Sequence, residues 1–107
     1  MFEYSPNPID ISHVKLNDDT IELMELLAAN KHDIWSRQML AEGWRYGRRL
    51  ENDSKEHPNL VSYDELPEIE KHKDRNEITN LLKTILAMGY TIDKIQPGLV
   101  GPYSLNE

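Results

Sequence analysis

The sequence contains no cysteine, one phenylalanine and two tryptophans in 107 residues. Without cysteine there are no disulfides, thiolate metal sites or cysteine nucleophiles, and nothing points to an oxidising compartment. Long apolar runs are also missing; the longest is a few residues, far below the ~20 that a membrane helix needs. The start, MFEYSPNPID, carries acid instead of the basic residues of a secretion signal. A cytoplasmic protein that neither spans nor binds a membrane is expected. Positive charge is scarce: twelve Lys and Arg against nineteen Asp and Glu leave a net charge of −7. Nucleic-acid binding is not expected, because such binders draw their affinity from cationic charge.

Catalytic signatures are absent as well. There is no G-x-S-x-G, no phosphate-cradling glycine loop and no dinucleotide fingerprint. The four histidines, His13, His32, His57 and His72, include no pair at the i, i+4 spacing of a zinc protease helix, and no loop has calcium-site spacing. No metal, no cofactor and no enzyme activity are expected. His32 next to Asp33 reads as a structural hydrogen-bonding pair.

What the sequence does hold is concentrated in residues 26–47, LLAANKHDIWSRQMLAEGWRYG, where Trp35 and Trp44 lie on an apolar helical pattern ending in Gly43 and Gly47. Two large aromatics are natural anchors for a single small domain covering residues 1–107. Residues 1–16 carry Pro6 and Pro8 and predict an extended arm, with Ile9 and Ile11 resting on the core as a short edge strand and Tyr4 packing. A first helix is predicted over about 19–42. Asn17, Asp18 or Asp19 can cap it, and Glu22 completes a capping box with Asp19. Its inner face would be Ile21, Met24, Leu27, Ala28, Ile34, Trp35 and Met39, with the polar residues 30–33 as its weakest point.

Residues 45–60 read as a charged connector, longer than usual between helices. Pro67 suits the first position of a short helix over 67–72. Asp74 and Glu77 form a second capping box before a helix over about 74–88, with Leu82, Ile85 and Leu86 inward and Gly89-Tyr90 as its stop. Thr91, Ile92 and Ile95 suggest a short extended piece, and residues 96–107 a weakly ordered Pro/Gly tail. The fold class expected is mainly α, two principal helices packed together with short helical and extended segments.

Several motifs in this order resemble one known family. They are Tyr4-x-Pro6-x-Pro8-Ile9-Asp10, Leu27-Ala28-x-Asn30-x-His32-Asp33-x-Trp35, Glu42-Gly43-Trp44-x-Tyr46-Gly47 and His57-Pro58-x-Leu60-Val61-x-Tyr63-x-x-Leu66-Pro67, followed by Lys71, Asp74-Arg75 and Gly89-Tyr90. Together they resemble the repeat domain of ryanodine receptors, over about residues 4–92. The resemblance implies a helical, non-catalytic interaction module of the free-standing bacterial or phage type. In the receptors such repeats pair about a pseudo-twofold axis, which points to a protein partner or a homodimer. An aromatic cleft in the family is linked to adenine nucleotides. Arg48 and Arg49 stand too far before Ser54 to match the receptors' phosphorylation loop, and calcium release is not implied.

The candidate ligand residues are Trp44, Arg45, Tyr46, Arg48 and Arg49, the one basic cluster in an acidic chain. A ring can stack on a base while an arginine forks onto a phosphate. The competing reading makes Trp44 a packing residue and leaves the arginines solvated or paired with surplus carboxylates.

Overall fold

A computed structural model describes residues 3–95, and the tail expected over 96–107 lies outside the described residues. Helix α1 spans Asp18–Ala41 and helix α2 spans Glu68–Ala87, and the two pack against each other. Between them lie strand β1 at Arg45–Tyr46, strand β2 at Glu56–His57 and a 3-10 turn at Tyr63–Glu65. None of the helices among the described residues is long and apolar enough to cross a membrane.

Helix α1 is capped by Asn17, whose side-chain oxygen accepts from the Thr20 backbone N–H at 2.9 Å and the Thr20 hydroxyl at 2.6 Å. Asp18 and Asp19 occupy the first turn, where the positive end of the helix dipole favours them. The polar stretch 30–33 does not break the helix, because half of it faces inward. Lys31 reaches α2, and His32 is buried with Nε2 donating to the Val61 carbonyl at 2.7 Å. His32 therefore ties α1 to the segment before α2; it does not pair with Asp33, which is exposed.

Both helices end in the same device. The Gly43 N–H donates to the Leu40 carbonyl and the Trp44 N–H to Met39; likewise Gly89 donates to Leu86 and Tyr90 to Ile85. The glycines sit at φ +96° and +98°, left-handed values that a Cβ disfavours, and the pattern is a Schellman motif at each end.

The second helix corrects the expected boundary. Residues 67–72 and 74–88 are not two helices but one, starting directly after Pro67. Nothing between His72 and Asp74 breaks a helix. Asp74, read as a cap, lies in the middle of α2 and accepts from Lys31 Nζ at 2.9 Å. A long-range ion pair takes the side chain that a local motif would have used for the backbone.

The core is thin. Among the described residues Ala28, Tyr63, Leu66 and Leu82 are its buried hydrophobics, with Ala29, Val61 and Ile78 packed beside the first three. Trp35, Ile85 and Leu86 are half-buried, while Ile21 and Ile34 are exposed, so the inner face of α1 is narrower than its apolar spacing suggests. The arm forms no strand among the described residues, and Tyr4 is 88% exposed instead of packed. Its local order comes from Asp10, whose carboxylate accepts from the Ser12 N–H and hydroxyl and is held below its ordinary pKa, first by that backbone bond.

Candidate functional site

Past α1 the chain makes a closed loop. β1 and β2 run parallel, with Arg45 opposite Glu56 and Tyr46 opposite His57. Parallel strands usually need a crossover of a dozen residues or more, and this short connection permits only a two-residue ladder. Its closure rests on specific bonds. The Arg45 N–H donates to the Lys55 carbonyl at 2.8 Å, Gly47 to His57 at 3.3 Å, and Glu51 and Glu56 exchange both backbone bonds. Lys55 adopts φ +57° and sends Nζ back to the Glu42 carbonyl at 2.9 Å, fastening the loop to the end of α1. At Gly47 a Cβ would lie 2.5 Å from the Glu56 Cβ, so the loop closes only around a residue without a side chain.

The closure divides the five candidate residues. Tyr46, Arg48 and Arg49 line one open hollow of about 690 Å³, together with Gly47, Glu51 and Glu56. Tyr46 is 56% exposed, and neither Arg48 nor Arg49 has a carboxylate partner within 4.0 Å among the described residues. Trp44 lies elsewhere. It is half-buried with its ring edge-on to His57 at 6.2 Å. Arg45 is exposed and turns its guanidinium to the Trp44 carbonyl at 2.7 Å. The hollow carries two guanidiniums, one phenol ring and two carboxylates. Such a set suits a ligand with an anionic group and a flat face, provided the acids do not face the anion.

Behind the loop runs a line of rings. Trp44 meets His57, His57 meets Trp35 edge to face at 5.0 Å, and Trp35 stacks on His32 at 5.6 Å and 29°. His32 in turn lies 6.3 Å from Tyr63. The His57 Nδ1 accepts from the Asn59 N–H at 3.1 Å, which leaves its proton on Nε2. Trp35 and His57 also line a second, smaller hollow with Lys31, Asn59, Glu70 and Asp74. Sequence reasoning missed that arrangement. Residues 22 positions apart become neighbours only through the β1–β2 pairing, and no spacing rule signals it.

Charge across the helix seam is paired. Arg75 forks onto Glu25, with Nε and one terminal nitrogen each at 2.8 Å from a carboxylate oxygen. This bond holds the Glu25 carboxyl below its ordinary pKa and raises that of Arg75. Lys31 bonds Asp74 and Glu77 at 2.9 and 3.2 Å, and the Asp74 bond raises its pKa. Burial raises the Tyr63 phenol. Among the described residues no group of three or more His, Asp or Glu side chains is placed to hold a metal ion.

The family model of the RyR domain matches residues 4–94. That span contains both helices, the β1–β2 loop, the line of rings and every candidate residue. The chain belongs to the RyR domain family.

Proposed function

We propose that this RyR domain is a non-catalytic, cytoplasmic interaction module that docks on another protein, a second copy of itself being the first partner to test. One observation carries the reading. Among the described residues only four hydrophobic ones are buried, while large apolar side chains are left outward, Leu26, Ile34 and Leu40 on α1, Ile69 and Leu81 on α2, and Met88 at the end of α2. Single exposed apolar residues are ordinary, but so many beside so small a core favour a surface that a partner covers. Sedimentation from micromolar to millimolar concentration tests it. Mass above 12.5 kDa is expected, reduced by Leu26→Ser or Leu81→Ser. A single 12.5 kDa species throughout would remove self-association and leave a different protein as the partner.

A second reading, an adenine-nucleotide site, is favoured by the hollow that gathers Tyr46, Arg48 and Arg49. Stacking on Tyr46 and a forked arginine–phosphate contact would supply its affinity. Glu51 and Glu56 in the same lining weigh against it. Calorimetry with ATP, AMP and cyclic nucleotides decides: no heat at millimolar ligand excludes this reading.

A further inference from the structure

The smaller hollow, about 200 Å³, lies where α1, α2 and the end of β2 meet. Its aromatic side is Trp35 and His57; its charged side is Glu70 and Asp74 from α2, with Lys31 from α1. Each carboxylate has one oxygen engaged. Asp74 Oδ1 takes Lys31 Nζ at 2.9 Å and Glu70 Oε2 takes Lys73 Nζ at 3.4 Å. The other oxygens, Asp74 Oδ2 and Glu70 Oε1, have no donor among the described residues. Lys31 Nζ is shared with Glu77, 3.2 Å away. Of the lining residues, two carboxylates, Glu70 and Asp74, against one ammonium, Lys31, leave an excess of one negative charge.

A flat cation satisfies both sides of this hollow. Indole faces attract cations, and a guanidinium is weakly hydrated, stacks flat and can fork onto a carboxylate. Its volume is below the roughly 300 Å³ from which pockets for drug-sized ligands begin, and is suited to one side chain. The net charge of −7 steers a basic segment towards the chain. We propose that this hollow receives an arginine side chain presented by a partner protein, between the Trp35 ring and the Glu70 and Asp74 carboxylates. This inference rests on the interaction-module reading and supplies its recognition chemistry.

The probe is a blocked Gly-Arg-Gly peptide, titrated at fixed ionic strength into isotope-labelled protein, with the Lys and Glu versions beside it. Saturable shifts are expected at the Trp35 indole and the Asn59 amide, with Arg preferred to Lys by roughly threefold or more because only the guanidinium both stacks and forks. Glu70→Gln keeps the fold, since Glu70 makes only the long contact to Lys73, and it should weaken the Arg peptide roughly three- to tenfold. Trp35→Leu should weaken it similarly. Equal binding of Arg and Lys peptides, or an affinity unchanged in Glu70→Gln, overturns the proposal. Sedimentation of the same samples separates two failures. Self-association that persists without Arg-peptide binding rejects this site alone, whereas loss of both rejects the self-association reading with it.

Discussion

Arginines are treated differently at the helix seam and in the loop over residues 45–57. Arg75 in the seam forks onto Glu25 at 2.8 Å through two nitrogens and lies 3.5 Å from Glu68. Arg48 and Arg49 in the loop are exposed and, among the described residues, bond no carboxylate, although Glu51 and Glu56 share their hollow. The histidines divide in the same way. His32 is 5% exposed and spans two segments through the Val61 carbonyl, while His57 is half-buried on the rim of a hollow. The seam spends its polar groups on joining α1 to α2; the loop spends its backbone on closure and leaves side chains available. The seam and the loop over residues 45–57 can thereby be perturbed separately.

The sharpest way to break that contrast is from the seam. His32→Ala removes a buried ring stacked on Trp35 and leaves the Val61 carbonyl without its donor, and is expected to cost about 2–4 kcal/mol. A loss below about 1 kcal/mol in urea unfolding would show that the seam does not depend on this tie. Trp35 has less to lose than a fully buried tryptophan, because it is only partly buried.

In the loop the largest effect should come from Gly47. An alanine there meets Glu56 at 2.5 Å and forces β1 and β2 apart, at about 1–3 kcal/mol. The matching observable is fast exchange of the Arg45 amide, which donates to the Lys55 carbonyl across the closure. Retained protection in Gly47→Ala would mean that the backbone at Glu56 yields locally without opening the β1–β2 pairing.

Acid should affect the seam selectively. The Arg75 bond lowers the Glu25 pKa in the folded protein below its ordinary 4.5, so the folded state binds fewer protons there than the unfolded chain. The stability it contributes is full above that ordinary value and is lost as pH falls through the lowered folded value. Glu25 is 44% exposed, which limits the effect to below about 1 kcal/mol after solvent screening. Wild type should therefore lose more stability than Glu25→Gln between about pH 5 and about pH 3, with no difference in slope above about pH 6. Parallel curves throughout would show that the fork adds nothing to folding.

Local signals in the sequence were legible and distant ones were not. Gly43-Trp44 and Gly89-Tyr90 mark both helix ends, and Asn17 stands among the three caps that composition offers. Asp74 misleads because its D-x-x-E spacing is a genuine cap pattern, yet Lys31, 43 positions away, decides what the carboxylate does. Tyr4 misleads in the same sense: an aromatic in an extended arm packs only if the arm lies down, and here it does not. Tyr46, Arg48 and Arg49 could be grouped because they are neighbours in the chain. That Glu51 and Glu56 join them, and that Trp44 leaves for His57, follows from strand pairing that no local pattern encodes.

The smallest effect on stability, and the cleanest test of the contrast, belongs to Arg48. Its side chain is exposed and, among the described residues, unpaired, so Arg48→Ala removes no packing and breaks no ion pair. Surface changes of this kind stay within about 0.5 kcal/mol. For a domain of this size that is a shift in melting temperature of roughly 2–4 °C at most. Tyr46→Ala should behave alike, since the ring is 56% exposed and only the backbone of residue 46 takes part in the β1–β2 pairing. Trp44→Ala should not, because that ring meets His57 and continues the line to Trp35. If Arg48→Ala destabilised the domain as His32→Ala is expected to, the loop would be part of the fold's support and its arginines would no longer be free for a ligand. If it is silent in unfolding but abolishes heat with an adenine nucleotide, the loop's available charge has a use separate from the seam.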